Sequence, residues 1–233
     1  MRVVTYNTQA GLPGRTLWES LKAYLYVFKI RKFAPRPSVG MRRAIQMVGE
    51  DFNADILCLQ EIPAQWMKAV QDLLRASGYR YFSSGTTKSR LRWHVGILIA
   101  SKIAGRSFEV HLPQENTLRG GGGSAGISLL GVTIIGTHLG WGGAKILTPQ
   151  FTTLASLCRK EHELGQKVLI LGDFNRTNIS LLGLRELSQL THPSWRPNAP
   201  LDHILVDPSA RIKQCNVFRG DSDHLGLCAD IVF

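Results

Sequence analysis

Val168-Leu-Ile-Leu-Gly-Asp-Phe-Asn175 is an apolar run that stops on a glycine and then presents a carboxylate and a carboxamide two residues apart. Four apolar residues followed by turn formers read as a buried strand, and a period of two sends Asp173 and Asn175 to one side of it. The same grammar recurs along the chain. Val3-Val-Thr-Tyr6 runs into Asn7, Ile56-Leu-Cys-Leu-Gln60 into Glu61, and Ile134-Ile-Gly-Thr137 into His138. Asp202-His203 opens a strand at 204–206, and Asp223-His224 closes a loop before another at 225–233. An Asp or Asn at a strand end is usually a turn former. Six such ends, all in carboxylate, carboxamide or imidazole, exceed what turns alone require.

Between the strands the period changes. Residues 42–52 place apolar side chains at 44, 45, 48 and 52, residues 63–77 follow a proline with a 3.6-residue pattern, and residues 148–164 open on Thr-Pro, so all three predict helices. Apolar runs at 96–100 and 132–135 predict further strands. This order argues for an α/β or α+β sandwich and against a TIM barrel, whose eight regular βα units take roughly 250 residues. Gly120-Gly-Gly-Gly123 predicts a flexible hairpin or loop tip. No Pro- or Ser-rich linker divides the 233 residues, which read as one domain over 1–233. A domain of that size buries roughly 70–75% of its unfolded surface, enough for a core without disulfides or a structural metal. Cys58, Cys158, Cys215 and Cys228 are scattered, with no CxxC pair, and read as reduced thiols.

Charge narrows the partner. The chain carries 28 Lys and Arg against 17 Asp and Glu, a formal net charge of +11. Residues 20–49 contain Lys22, Lys29, Arg31, Lys32, Arg36, Arg42 and Arg43 and no acid; residues 74–107 contain Arg75, Arg80, Lys88, Arg90, Arg92, Lys102 and Arg106 and no acid. Such stretches suit a polyanion, and nucleic acid, DNA foremost, is the expected partner because Lys and Arg contacts to phosphates carry most non-specific affinity. Arg92 and Arg119 are candidate phosphate contacts, and His94 and Trp195 candidate stacking groups. A competing pattern occupies 17–33, where Trp18, Leu21, Leu25 and Phe28 fall near one helical face and Lys22 and Lys29 stand one heptad apart. That face either packs on its own domain or rests on an anionic membrane surface. The segment is too charged to cross a bilayer, holding Glu19, Lys22, Lys29, Arg31 and Lys32. With no secretion signal visible, a cytoplasmic location is expected, and no segment marks an obligate protein partner.

The segments Thr5-Tyr-Asn7, Leu59-Gln-Glu61, Gly136-Thr-His138-Leu139, Gly172-Asp-Phe-Asn175, Leu201-Asp-His203-Ile-Leu205 and Ser222-Asp-His224-Leu-Gly-Leu227 resemble, in order, the successive motifs of the endonuclease/exonuclease/phosphatase family. The resemblance spans residues 5 to 227. It implies an α/β fold, a four-layer α/β/β/α sandwich of the deoxyribonuclease I-like kind, with the active site at one edge where strand ends converge. It also implies a phosphodiester hydrolase dependent on Mg²⁺ or Mn²⁺. By this resemblance Glu61 is the principal metal ligand, Asn7 supports it directly or through water, and Asp223 is a second ligand or an outer acceptor. Asp202 pairs with His224, Asp173 and Asn175 orient the attacking water and donate to a phosphoryl oxygen, and His138 contacts the phosphate or protonates the leaving alkoxide. The general base is His224 or Asp173.

These residue types suit the chemistry. A phosphodiester is an anion attacked by water, so a site must neutralise its charge, supply hydroxide and hold three oxygens in line. A hard cation held by one or two carboxylates does the first. An aspartate on one imidazole nitrogen fixes the tautomer and raises basicity at the other. One departure stands out: deoxyribonuclease I pairs the imidazole matching His138 with a glutamate, and residues 74–107 offer no carboxylate for that pairing. His138 is then expected to act mainly as a hydrogen-bond donor to the phosphate. The alternative substrate, as in the sphingomyelinase and 5-phosphatase members, is a phospholipid or phosphoinositide head group.

Overall fold

The structure is a computed structural model that describes residues 1–29, 36–86, 95–113, 121–180 and 183–233; the side chains of residues 24 and 26–29 are outside that description. Two six-stranded sheets make the frame. Across the first lie, in order, β11 (Arg211–Arg219), β12 (Leu225–Val232), β1 (Arg2–Asn7), β2 (Ile56–Pro63), β4 (Val95–Ser101) and β3 (Tyr81–Thr86). Across the second lie β5 (Arg106–Phe108), β6 (Gly121–Leu129), β7 (Val132–Leu139), β8 (Lys167–Asp173), β10 (Asp202–Val206) and β9 (Arg185–Ser188). β1 pairs parallel with β2 and β7 parallel with β8.

Strand parity produces the layers. Val3, Ile56, Cys58, Ile97 and Ile99 of the first sheet meet Ile134, Leu169, Leu171, Ile204 and Val206 of the second in one core between them. Their chain neighbours Val4, Leu57, Leu59, Leu98 and Ala100 point the other way, onto α2 (Val39–Gln46) and α3 (Met67–Ala76). On the second sheet Ile135, Val168, Ile170 and Leu205 point outward onto α4 (Ala144–Glu163). Each central strand is covered on both faces, which is why the sequence shows continuous apolar runs rather than alternation. The result is the four-layer α/β/β/α sandwich that the motifs imply.

Several local expectations shift. The helix expected from residue 148 starts four residues earlier at Ala144 after Gly143, and Pro149 lies inside it. Burial of Leu147 and the bonds of Gln150 to Gly140 N and Pro113 O hold the first turns against the sheet. α2 begins at Val39 because Ser38 Oγ accepts from Met41 N at 3.0 Å and caps it. It then widens into a single π-type turn over Met47–Asp51. Gly121 and Gly123 are not a loop tip: they open β6, paired with Leu139 and His138 across a bulge. At Gly121 φ is +87° and a Cβ would lie 2.1 Å from His138 O, so only glycine brings β6 this close.

α1 (Leu17–Lys29) differs from the other helices, because none of its described side chains enters any of the three apolar clusters. No helix among the described residues is long and apolar enough to cross a membrane.

Candidate active site

The strand parity that builds the core also aims the site. Residues 3 and 5 of β1, 169 and 171 of β8, 204 and 206 of β10 and 134 and 136 of β7 lie on the inter-sheet side, so Asn7, Asp173, Asp202 and His138 emerge on it at the strand ends. Register completes the placement. His138 is the β7 partner of Asp173, and Asp173 is the β8 partner of Asp202, which sets three chemical groups side by side across neighbouring strands. Glu61 breaks parity, because Gln60 occupies the inward position. A bulge in β2 between Leu59 and Ile62, with Glu61 at φ +57°, swings the carboxylate to the same edge.

Asp173 is the hub. Asn7 Nδ2 donates to Asp173 Oδ2 at 3.0 Å and to Glu61 Oε1 at 3.1 Å, while Asn175 N donates to Asp173 Oδ1 at 2.8 Å. His138 Nε2 stands 3.6 Å from Asp173 Oδ2 and 3.8 Å from Glu61 Oε1. His224 Nε2 lies 3.9 Å from the same Asp173 oxygen, and its Nδ1 is 2.8 Å from Asp202 Oδ2. Asp223 is tied down at both backbone atoms: its N donates to Gln9 Oε1 and its O accepts from Ser194 N. Its carboxylate accepts from Ser222 Oγ at 3.3 Å and from Ser20 Oγ of α1 at 3.5 Å. The edge therefore draws Asn7, Glu61, Asp223 and His224 from the first sheet and His138, Asp173 and Asp202 from the second.

Asn175 lies just past β8 at φ +50° and donates its Nδ2 to Leu139 O at 2.9 Å, so it buttresses the end of β7 beside His138. His203 goes elsewhere. It is fully buried between Glu186 Oε1 and Arg176 O, on the face away from the site. Trp195 is half-buried on the turn that Ser194 ties to Asp223. Arg92, His94 and Arg119 lie outside the described residues. The described members of the basic stretch 74–107 sit at the far end of the sandwich. Ser101 pairs with Ile56, at the start of β2, and beside it lie Arg80 and Lys102, the latter over the Tyr79 ring. Arg75 is paired with Asp72. Closer to the catalytic loop, Arg15, Arg43 and Arg219 line a surface depression with Gly220 and Asp221.

The electrostatics follow from crowding. Burial opposes charge on His224, but the carboxylates of Asp202, Asp173 and Asp223 override it and hold its proton affinity well above the usual histidine range. Loss of water, with Asp223 nearby, pushes Glu61 above the ordinary carboxylate range, although His138 and Asn7 pull it back. Four carboxylates face three imidazoles here, those of His138, His192 and His224, and Asp202 Oδ1 is buried with no hydrogen-bond partner among the described residues. Ligand atoms of Asp173, Asp202 and His224 fall within 4.8 Å of one another. A surplus of carboxylate with an orphaned acceptor fits a divalent cation. Nδ1 of His138 is also buried and has no partner among the described residues.

The sequence reading missed four supports: Gln9, Ser20, Ser222 and His192, whose ring centroid lies 4.7 Å from that of His224. Ser222, adjoining the Asp223-His224 pair, was within reach of a loop reading; Gln9 at φ +46° was not.

A model of the Endonuclease/Exonuclease/phosphatase family matches residues 4–224. The chain belongs to the endonuclease/exonuclease/phosphatase family. Members of this family are hydrolases that act on phosphoester bonds and generally depend on a divalent metal. Solved structures similar to this family member include an endonuclease/exonuclease/phosphatase family protein from Leptotrichia buccalis C-1013-b, at TM-score 0.70 and 14% identity with both chains fully covered. Another is the mannosyl-6-phosphatase Bt3783 of Bacteroides thetaiotaomicron VPI-5482, at TM-score 0.67 and 15% identity, again over 100% of both chains. A third is the 3′ phosphatase NExo from Neisseria bound to a product DNA hairpin, at TM-score 0.62 and 18% identity over 100% of both chains. No curated protein matches the chain in sequence.

Proposed function

We propose that the protein is a divalent-metal-dependent phosphodiesterase acting on nucleic acid, DNA foremost. One observation carries the chemistry: the buried Asp202–His224 pair, 2.8 Å apart, turns its free imidazole nitrogen toward Asp173 while Asn7 bridges Asp173 to Glu61. Glu61, with Asn7 and Asp223 in support, would hold Mg²⁺ or Mn²⁺. When bound, the cation neutralises the phosphate and lowers the pKa of a coordinated water. His224, kept charged by its carboxylates, donates to a phosphoryl oxygen. Asp173 then takes the proton of the attacking water, with Asn175 N fixing one of its oxygens and Asn7 the other. His138 donates to the phosphate through Nε2.

The polyanion reading is supported by the net charge of +11, by the arginine-lined depression beside the catalytic loop, and by the DNA hairpin bound to the Neisseria relative. A second reading, a phospholipid head group as substrate, is favoured by the apolar face that α1 turns to solvent. The test is hydrolysis with Mg²⁺ and Mn²⁺ of supercoiled DNA, abasic duplex, 5′-phosphotyrosyl DNA, RNA, phosphoinositide and sphingomyelin. Metal-dependent cleavage of DNA that chelation abolishes is expected. Turnover of a lipid alone would replace the nucleic-acid reading, and full activity in chelator would overturn the mechanism.

A further inference from the structure

α1 is inside out. Its outward stripe carries Leu17, Trp18, Leu21 and Leu25, exposed at 62%, 70%, 46% and 52%. Among its described side chains the buried ones are small or polar: Ala23, and Ser20, whose hydroxyl reaches Asp223. A helix of an ordinary domain does the reverse, and burying such side chains is worth about 1.5–3 kcal/mol each. Here that free energy is not realised within the fold, since α1 adds nothing described to any core cluster. A patch of this kind marks a partner surface.

Charge selects the partner. Around the stripe stand the exposed Arg15 and Lys22, and Arg15 continues into the depression it shares with Arg43 and Arg219. Two acids stand nearby, Glu19, which accepts from Arg15 N, and Asp221, 3.6 Å from the Arg15 guanidinium, so Lys22, Arg43 and Arg219 leave the surface in cationic excess. A second copy of this chain is a poor occupant, because a two-fold contact through α1 would set these cations against their equivalents on a chain of the same +11 charge. An anionic bilayer meets both needs, with leucines and tryptophan at the acyl boundary and Arg and Lys among the head groups.

We infer that the outward face of α1 docks on an anionic membrane surface and seats the catalytic edge against it. Ser20 links the helix to Asp223 directly, so the docked helix lies one side chain from the catalytic loop. This goes beyond the proposed function and holds whether the phosphodiester hydrolysed is DNA or a lipid head group.

The test is co-sedimentation of the full chain with vesicles of phosphatidylcholine alone and of phosphatidylcholine mixed with phosphatidylserine. Binding to the mixed vesicles is expected, weakened by salt and lowered at least about tenfold by the double substitution Trp18→Ser and Leu21→Glu. Metal-dependent hydrolysis of soluble bis(p-nitrophenyl) phosphate by the same variant should match the parent, since neither side chain touches the site. Absence of binding to charged vesicles, or equal binding by the variant, would overturn the inference. A dimer in size-exclusion chromatography that the substitutions dissolve would overturn it too, in favour of a second copy. Failure of docking with DNA cleavage intact leaves the proposed function standing; docking without any DNA cleavage does the opposite.

Discussion

The catalytic edge and the outer face of α1 are separated by one serine, and they obey opposite rules. At the edge six polar side chains, Asn7, His138, Asp173, Asp202, Asp223 and His224, are nearly inaccessible, and each is engaged by a hydrogen bond or a neighbouring charge. On α1 four large apolar side chains are exposed to solvent. Polar groups inside and apolar groups outside both cost stability, the first through desolvation and the second through unrealised burial. A fold keeps such costs where it does work on something else. Under the readings proposed above both regions are directed outward, one at a phosphoester and one at a membrane surface.

The comparison breaks most visibly at the dyad. His224→Ala or Glu61→Ala should lower kcat by about a thousandfold or more while circular dichroism stays native, because both residues sit at the strand ends and not in the apolar clusters. Unaltered turnover in either would move the chemistry elsewhere. Gly121→Val should cost about 2–3 kcal/mol in denaturant melts and about a hundredfold in kcat, since the new side chain collides with the backbone carbonyl of His138.

A titration sharpens the same contrast. In metal-free protein the His224 imidazole should titrate above the free value of about 6.5 by NMR, and Asp202→Asn should bring it down. A folded-state pKa above the unfolded one gives stability that is complete below about pH 6.5 and is lost as pH rises through the raised value. The rate should likewise fall on the alkaline side as His224 loses its proton; a fall on acidification through that same raised value would make neutral His224 the base instead.

The smallest effect is expected on α1. Leu25→Ser should change stability by less than about 0.5 kcal/mol, whereas Leu171→Ala in the inter-sheet core should cost about 2–5 kcal/mol by thermal or denaturant melts. A loss on α1 comparable to the core value would show that its face is packed in solution.

How much of this was legible in the sequence varies with the physics of each element. The central strands announce themselves because both faces are covered, and so do Asn7, His138, Asp173 and Asp202, whose inward aim is simple parity. Glu61 is recognisable only through its motif, since parity points it the wrong way and a bulge with positive φ corrects it. β3, β5, β9 and β11 escaped because their exposed edges carry mixed residues, and β6 because its Gly-rich opening resembles a loop. The basic stretches 20–49 and 74–107 together suggest a polyanion partner, yet the described cations of 74–107 gather at the opposite end. Charge counted along a chain carries no information about which end of a strand it will occupy.

Gly136 has a wider meaning than its size suggests. It lies on β7 two residues before His138, and a Cβ there would meet Cys58 Sγ at 2.8 Å and Ile99 Cγ1 at 3.0 Å, both from the opposite sheet. The candidate catalytic groups belong half to one sheet and half to the other, and the His224–Asp202 bond crosses the seam. The two sheets are thus the jaws of a caliper, and Gly136 is one of the close points of its stop. Anything that thickens the stop by one methyl opens the jaws at the reacting edge, so turnover would report the gap between layers before any melting curve did.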